Sequence, residues 1–320
     1  ENLGKEIELK GWIRNHRKQK EFGFIDFSDG TCFKHIQLVY DNKLENFEEI
    51  QKYHNGSAIT AGGLLIKSEG AGQDYEVKVT KIVLEGDCPE DYPMQPKRHS
   101  SEFLREQAYL RPRTNLFQAV FRIRSVTAMA IHTYFQERGY VYFHAPLFTA
   151  SDCEGAGEMF HVTTQNLDDI AKSSKNNLEK ELFGRSVGLT VSGQLEAETF
   201  ATAFKKTYTF GPTFRAENSN TKFHANEFWM IEPEVAFCDL NGILDIEEEC
   251  LKYVITYVLE HAKDEMKFLD QFVEKGLIDK LTKLIHSKFT RITHEDVITL
   301  LKEAEAKGTK WEFKPEYGED

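Results

Sequence analysis

The densest group of chemically capable residues lies in the run TFGPTFRAENSNTKFHANEFWMIEPEVAF, residues 209–237. It contains two strand-like runs joined by a polar loop, 217–226. Arg215 lies at the end of the first run, and its planar, permanently charged guanidinium suits phosphate oxygens. Phe228 in the second run offers a ring for a base, a stacking contact worth roughly 1–3 kcal/mol in nucleic-acid complexes. Together with a loop Asn and His, these residues predict a nucleotide pocket.

Each of these residues has a commoner explanation when it is taken alone. A strand Arg is usually a solvated charge, and a strand Phe usually belongs to the core. A loop His usually has no special role. Only the combination of these residue types within one short hairpin favours nucleotide binding.

The elements that must position the hairpin begin with a strand-rich N-terminal region. Residues 5–85 contain five runs that alternate or carry β-branched and aromatic residues, with Gly, Asn and Asp between them. A helical pattern, LENFEEIQKY, precedes the fourth run. This pattern predicts a small closed barrel of the OB type, with a plain five-stranded sheet as the alternative. Residues 86–112 are rich in proline, which predicts a hinge or linker.

A long amphipathic helix is predicted next, from Asn115 to Arg138, with Gly139 as its C-terminal cap. Its predicted apolar face comprises Leu116, Val120, Ile123, Val126, Thr127 and Ile131.

Strands and helices then alternate to the end of the chain. A strand, YVYFHAPLF, is interrupted by Pro146. Further strands are predicted in SVGLTVS and in the two runs of 206–237, between helices at 193–205 and 242–265. The polar segment 164–180 is predicted to form a mobile loop at the surface. A barrel followed by helices around an antiparallel sheet belongs to the α+β class.

The run FRAENSNTKFHANEFWMIEPE resembles motif 2 of the class II aminoacyl-tRNA synthetases, in the form found in the aspartyl and asparaginyl branch. The similarity extends over the whole chain. Residues 122–160 resemble motif 1, whose helix, strand and Pro146 form the family's dimer interface, so a homodimer is expected. Residues 5–85 resemble the family's anticodon-binding OB domain. The resemblance implies an OB domain at 1–86, a linker at 87–112 and a class II catalytic domain at 113–320.

The resemblance also assigns the ATP site. It implies that Arg215 holds the α-phosphate, Glu217 the adenine side, His224 the terminal phosphates, and that Phe228 stacks on adenine. When an amino-acid carboxylate attacks the α-phosphorus, charge accumulates on the phosphate oxygens, which a fixed guanidinium stabilises. The attacking carboxylate is already ionised, so no protein base is needed.

The segment LTVSGQLEAE, residues 189–198, bears on the choice of amino acid. The aspartyl enzymes carry a Lys that pairs with the substrate's side-chain carboxylate, and Ala197 occupies that position here. Without this cation a buried carboxylate costs several kcal/mol, whereas a carboxamide needs only hydrogen bonds. The run SGQLEAE is itself similar to the asparaginyl form, which implies L-asparagine as substrate.

Further contacts to the amino acid follow from the resemblance. It places Ser192 and Gln194 at the substrate, with Gln194 on its backbone, while Glu154 and Glu232 hold its ammonium group. Taken alone, Glu154 is equally well explained as a loop acid with no ligand.

In the barrel, FGFIDFSDG and HIQLVY resemble the anticodon-reading strands of the family. The resemblance implies that Phe24 stacks on the central anticodon uracil, that Gln37 bonds to the edge of that base, and that Arg14 meets a nearby phosphate. Single-stranded RNA is generally read in this way. Outward aromatic residues of a barrel are more often simply packed.

Composition sets the remaining limits. A chain of 320 residues is long enough for two cores, and its net charge of −12 argues against indiscriminate coating of nucleic acid. The five cysteines are at least twelve positions apart, which favours buried thiols over a disulfide scaffold or zinc site. We expect no membrane span, and a cytoplasmic location.

The chain ends at WEFKPEYGED, before the region where the family carries motif 3. The resemblance places a second phosphate-binding Arg and the ligands of a catalytic Mg²⁺ in that region. The metal ligands are therefore unknown, and the chain as given is expected to bind tRNA but to be catalytically impaired. Three alternatives stay open: an aspartyl enzyme that could accept both tRNAs, a relative that makes asparagine but lacks the barrel, and a non-catalytic RNA-binding protein.

Overall fold

The computed structural model of the chain describes residues 1–70, 72–155, 157–173, 178–219, 221 and 224–317. A strand-rich N-terminal part is followed by a part that mixes helices and sheets, which confirms the predicted α+β class. Within these ranges no helix has both the length and the apolar composition needed to cross a bilayer.

The N-terminal part is a closed barrel with strand order β1-β2-β3-β5-β4. Its elements are β1 (Glu6–Lys18), β2 (Phe22–Ser28), β3 (Ile36–Asp41), α1 (Phe47–Ile50), β4 (Ala58–Lys67) and β5 (Tyr75–Gly86). Strands β3 and β5 are parallel, and the other neighbours are antiparallel. Pairing of β1 with β4 closes the barrel, so the OB-type prediction is confirmed and the open sheet is excluded.

Alternate residues of each barrel strand point inward and form the barrel core. Ile25, Leu38 and Val77 are completely buried there. Gly23 lies opposite Tyr40, and a Cβ atom at Gly23 would come within 2.3 Å of the Tyr40 hydroxyl oxygen. A residue without a side chain is therefore needed on β2 where the Tyr40 ring crosses it.

The proline-rich segment after the barrel has local structure of its own. Helix α2 (Ser101–Glu106) begins at Ser100, whose hydroxyl accepts a hydrogen bond from the backbone N–H of Phe103 at 3.2 Å. The buried apolar residues of this segment form one small cluster: Cys88, Tyr92, Met94, Leu104 and Leu110. The predicted hinge is thus a packed connector, followed by a short 3-10 turn (Arg111–Arg113).

The predicted long helix is α3 (Asn115–Glu137), with Thr114 as its N-cap and a left-handed Gly139 just beyond its end. Its predicted apolar face is only partly correct. Val120 is 39% exposed, whereas Ala119 and Ala130 are completely buried. The buried face rotates along the helix because its first half packs against helices, whereas its second half packs against a sheet as well as a helix.

Two small sheets follow. Strands β6 (Val141–Tyr142), β10 (Lys206–Phe214) and β11 (Glu227–Val235) form a sheet of order β11-β10-β6. Strands β7 (Phe148–Thr149), β8 (His161–Val162) and β9 (Val187–Leu189) form another, of order β7-β9-β8. The predicted strand around Pro146 is therefore divided between two sheets. Helix α5 (Gln194–Phe204) matches the helix predicted at 193–205.

The polar segment 164–180 is not entirely irregular. It contains helix α4 (Leu167–Ser173) and a 3-10 turn (Leu178–Lys180), while residues 174–177 lie outside the described residues.

Four helices complete the chain: α6 (Leu240–His261), α7 (Lys263–Phe272), α8 (Leu277–His286) and α9 (His294–Ala306). Two cores hold this part together. Tyr134 and Phe135 of α3 pack on Tyr208 of β10 and against α6. Val258 and Met266 pack with the first half of α3.

Candidate functional site

The hairpin of β10 and β11 has two different faces, which are fixed by its antiparallel register. Opposed residues share a face, and the pairs on one face are Thr207 with Glu234, Thr209 with Glu232, and Thr213 with Phe228. The backbone N–H of Arg215 donates to the carbonyl of Asn226 at 3.0 Å, which extends the same register by one pair. The opposite face carries Tyr208 and packs on α3. Arg215, Phe228 and Glu232 therefore share the face turned away from that core.

Glu232 is a buried carboxylate surrounded by donors. It accepts hydrogen bonds from the Ser192 hydroxyl, from the Thr209 hydroxyl at 2.9 Å, and from the Gly193 backbone N–H at 3.1 and 3.2 Å. All three side chains are more than nine-tenths buried. A carboxylate offers about four acceptor positions, and three protein donors leave about one for a ligand.

Helix α5 begins directly beside this carboxylate. The backbone N–H of Gln194 donates to the Ser192 hydroxyl at 3.1 Å, and its side-chain amide donates to Glu198 at 3.0 Å. Ala197 has no exposed surface, and its carbonyl accepts a hydrogen bond from Thr207 at 3.2 Å. Ala197 is therefore enclosed where α5 meets β10.

Glu234 adds a further carboxyl group that the sequence did not single out. Burial raises its pKa, and Glu198 and Glu232 raise it further because three negative groups lie close together. This part of the face is consequently anionic and favours a cationic or hydrogen-bond-donating ligand.

Arg215 is held at the other end of the same face. Its guanidinium carbon lies 5.4 Å from the centroid of the Phe228 ring. A Cβ atom at Gly157 would come within 2.9 Å of the Arg215 Cδ atom, so the neighbouring loop is pressed against its stem. The buried Nε–H of Arg215 has no hydrogen-bond partner among the described residues. A buried donor without a partner is costly, and an anionic ligand at this position would offset that cost.

The polar loop after Arg215 is partly fixed. The Asn226 side chain donates to the carbonyls of Arg215 at 2.8 Å and of Glu217 at 3.3 Å. His224 is exposed and bonds to the Thr221 hydroxyl. Positions 220, 222 and 223 of this predicted loop lie outside the described residues.

Glu154 lies in the loop that reaches Arg215. Its side chain is exposed, and its backbone has a left-handed φ of 59°. The same loop is joined to the hairpin by a hydrogen bond from the backbone N–H of Ala216 to the carbonyl of Glu158 at 2.7 Å. The structure thus places Glu154 on the loop that borders the site.

The barrel presents a second group of candidate residues. Phe24 and Gln37 lie on the outer face of β2 and β3, on either side of the inward pair Ile25 and Leu38. Arg17 connects them: its guanidinium carbon lies 5.0 Å from the Phe24 ring centroid, and it donates to Gln37 Oε1 at 2.7 Å. Sequence reasoning missed Arg17, although its position opposite Phe24 follows from pairing β1 with β2.

The Gln37 amide is engaged on its other side as well, because its Nε2 donates to Glu76 on β5 at 3.4 Å. Both ends of the amide are therefore oriented by neighbouring side chains.

Arg14 lies at the boundary between barrel and connector. Its pKa is lowered, chiefly by burial and also by nearby Arg113, while Tyr92 and Asp26 oppose the shift. Its Nε–H is buried and has no partner in the described part of the chain.

No cluster of three or more His, Cys, Asp or Glu suited to a metal ion occurs among the described residues.

Two sequence models of known families match the chain. The model of the class II tRNA synthetases (D, K and N) matches residues 100–319, and the model of the OB-fold nucleic acid binding domain matches residues 7–85. These matches define a class II tRNA synthetase with an OB-fold domain.

Curated relatives narrow the class. An asparagine–tRNA ligase of Acholeplasma laidlawii is 53% identical over 99% of this chain and 68% of its own length. One from Desulfitobacterium hafniense is 52% identical over the same shares. The chain belongs to the asparagine–tRNA ligase family of class II synthetases, and it spans about two thirds of the length of these relatives.

Two solved asparaginyl-tRNA synthetase structures have the same fold as this chain. The asparaginyl-tRNA synthetase of Pyrococcus horikoshii complexed with asparaginyl-adenylate superposes with a TM-score of 0.81, at 25% identity, over the whole chain and 67% of that structure. The Entamoeba histolytica enzyme has the same fold, with a TM-score of 0.79 at 22% identity, over 99% of this chain and 67% of its own.

Proposed function

We propose that this protein activates L-asparagine with ATP and transfers it to asparagine tRNA. In the first step a carboxylate oxygen of asparagine forms a bond to the α-phosphorus of ATP, and the bond from that phosphorus to pyrophosphate breaks. In the second step the ribose hydroxyl at the 3′ end of the tRNA attacks the carbonyl carbon, loses its proton, and AMP departs. The observation that carries this proposal is the register that gives Arg215, Phe228 and Glu232 one common face.

The ATP half of the proposed site lies around Arg215. Its guanidinium is already positioned by Phe228 and by the 157–158 loop. Its Nε–H has no acceptor among the residues that the structure describes, and a phosphate oxygen would supply one. Preorganised donors stabilise developing charge without having to reorganise. Phe228 is the proposed adenine platform, Glu217 the contact to the adenine side, and His224 the contact to the terminal phosphates.

The amino-acid half lies around Glu232, with Ser192 and Gln194 at the start of α5. The single acceptor position left on Glu232 suits an N–H of the substrate. Glu154 is proposed to share the ammonium group. Ala197 supplies no cation to this anionic region, which supports a neutral carboxamide over a carboxylate side chain.

The tRNA half of the proposal is the outer barrel face. Phe24 is the proposed platform for the central anticodon uracil, and Gln37 is proposed to bond to its edge. Arg17 and Glu76 hold the Gln37 amide, and Arg14 is the proposed phosphate contact.

The oligomer, compartment and metal are also proposals. A homodimer is proposed through residues 115–150, and the cytoplasm is proposed because ribosomes consume charged tRNA there. Mg²⁺ is the proposed metal for ATP.

The test is exchange of pyrophosphate into ATP, measured in a protein with the full length of the curated relatives. Asparagine should support exchange, and aspartate should support it at least about 100-fold less, since a buried unpaired carboxylate costs several kcal/mol. Equal rates with the two amino acids would refute the assignment of asparagine.

A further inference from the structure

The loop between β2 and β3, residues 29–35, contacts two helices that lie outside the barrel. Arg122 of α3 donates to the carbonyl of Gly30 at 2.5 Å and to that of Thr31 at 3.4 Å. Phe33 packs edge-on against Phe268 of α7, with ring centroids 5.4 Å apart. These contacts join the barrel to the helices of the catalytic part at a point distinct from the connector.

A surface ion pair adds to this docking, because Lys34 lies 3.3 Å from Asp264 of α7. The Lys34 side chain is 65% exposed and that of Asp264 is 38% exposed, so this partly solvated pair is expected to contribute little by itself. The guanidinium and the aromatic pair are therefore the main contacts.

The loop has a fixed shape before it meets α3. Asp29 accepts hydrogen bonds from the Thr31 backbone N–H at 2.9 Å and from the Thr31 hydroxyl at 2.8 Å. Gly30 has a left-handed φ of 80°, which other residues adopt only with strain. The turn therefore presents the Gly30 and Thr31 carbonyls in one direction, where the fork of a guanidinium can engage both.

The far end of the loop is joined by a hydrogen bond to the outer face of β2 and β3. This face carries Phe24 and Gln37 and is called the RNA-reading face below. His35 Nδ1 lies 3.1 Å from both carboxylate oxygens of Asp26. Asp26 pairs directly with Gln37 across β2 and β3, and Phe24 lies two residues before Asp26. Phe24 and Gln37 are thus within a few positions of loop 29–35, which is attached to α3.

Helix α3 continues this attachment to the catalytic sheet. Phe135 of α3 stacks on Tyr208 of β10 with ring centroids 4.6 Å apart. Arg122 and Phe135 are thirteen residues apart, or about 20 Å along a helix axis. Helix α3 therefore contacts loop 29–35 in its first half. In its second half it supports strand β10, which leads to Arg215.

We propose that loop 29–35 is a docking contact that sets the orientation of the RNA-reading face relative to the catalytic sheet, and that Arg122 and Phe268 are positioning residues for tRNA charging. This inference rests on the proposed function. The ligand that is positioned is the tRNA, which has to engage the barrel and the catalytic site at once. Arg122 is not among the proposed contacts to ATP, asparagine or tRNA, and it acts by placement through the Gly30 and Thr31 carbonyls.

This placement affects the two steps of the reaction differently. Activation of asparagine involves only the catalytic part, so it does not depend on where the barrel lies. Transfer requires the 3′ end of a tRNA held by the barrel to reach the adenylate. A misplacement of about 1 Å can cost about 10²-fold in rate.

The test compares Arg122→Ala with Lys267→Ala, which removes a positive charge at an exposed position of α7, outside residues 115–150. In a protein of the relatives' full length, Arg122→Ala should lower the turnover for tRNA charging by about 10- to 100-fold. Its asparagine-dependent pyrophosphate exchange should stay within about twofold, as should tRNA affinity. Lys267→Ala should match the unsubstituted protein in all three measurements.

Two further variants separate positioning from general damage. Arg122→Lys keeps one charged donor but not the fork, so charging should be restored in part. Phe268→Ala acts through α7 and should show the same loss of charging with exchange intact. Normal charging by both Arg122→Ala and Phe268→Ala would overturn the inference, and so would a parallel loss of exchange and charging. Absence of asparagine-dependent exchange in the unsubstituted protein would instead refute the proposed function.

Discussion

The guanidinium carbon of Arg215 lies 5.4 Å from the centroid of the Phe228 ring, across two strands that are joined by the polar loop. The two side chains are thirteen positions apart in sequence but neighbours on one sheet face. A cation beside a ring is what a nucleotide requires, because its phosphate and its base must be held at the same time. The contact also restricts the rotamers of Arg215 before ATP arrives.

Arg215 and Phe228 are expected to act at different stages. Charge on the α-phosphate oxygens grows in the transition state, so Arg215→Ala should slow adenylate formation by about 10²–10³-fold and leave asparagine binding nearly unchanged. Phe228 is proposed to contact adenine in both ground and transition states, so Phe228→Ala should raise the KM for ATP with turnover closer to normal. Single-turnover adenylate formation measures both effects. An Arg215→Ala variant with weak ATP binding but a normal saturated rate would make the arginine a ground-state contact.

Ala197 offers a test of amino-acid choice. Ala197→Lys should reduce asparagine-dependent pyrophosphate exchange by at least about tenfold, because a bulky ammonium would enter a fully buried position beside the substrate region. Ala197→Met is the matched control, since it adds similar length without charge. If the two variants lose equal activity, overpacking is the cause and Ala197 has no role in selecting the side chain.

Glu234 should make stability depend on pH. Its raised pKa means that the folded protein holds this proton more tightly than the unfolded chain does. The contribution of Glu234 to the free energy of unfolding is therefore fully present below its ordinary pKa of 4.5. This contribution is lost as the pH rises through the raised pKa of the folded protein. Glu234→Gln should remove this loss and raise the unfolding temperature at pH 7 by about 1–3 °C. Glu198→Gln should give a smaller rise in the same thermal scans, and a fall in both variants would contradict the expectation.

His16 should destabilise the barrel at low pH. Burial lowers its pKa to about 4, aided by Lys18 and opposed by the hydrogen bond to the Tyr53 carbonyl. The unfolded chain takes up the proton first, near pH 6.5, so stability is present above that value and is lost as the pH falls towards 4. The loss is at most about 3 kcal/mol, reduced by solvent screening. Denaturant unfolding of the His16→Gln variant at several pH values should show a weaker dependence.

A homodimer through residues 115–150 should be detectable in solution. Met129 and Phe121 on α3 are 57% and 41% exposed, which suits a self-complementary apolar contact of more than about 1,000 Å². Sedimentation at micromolar concentration should show a dimer, and Met129→Glu should shift it towards monomer. Leu251→Glu, at a residue 45% exposed on α6, is the control. A monomeric unsubstituted protein would refute the dimer for this chain.

Local patterns were sufficient for most elements. Alternation predicted the barrel strands and Gly139 predicted the end of α3, because both depend on residues close in sequence. The predicted apolar face of α3 was partly wrong, since helices cover its first half, whereas a sheet together with α6 covers its second half. Connector 87–112 was predicted as a hinge, but its apolar residues form a cluster, which proline content does not reveal.

The sequence by itself determined the family, the barrel and the residue types of the nucleotide pocket, because motifs and strand alternation are local properties. The tertiary structure decided which residues meet. Register brings Glu232 to Ser192 and Thr209 and leaves it about one free acceptor position. Strand pairing adds Arg17 to Phe24, and docking brings Arg122 to a loop that is distant in sequence. Such contacts depend on how separate elements pack, and no spacing within a single segment encodes them.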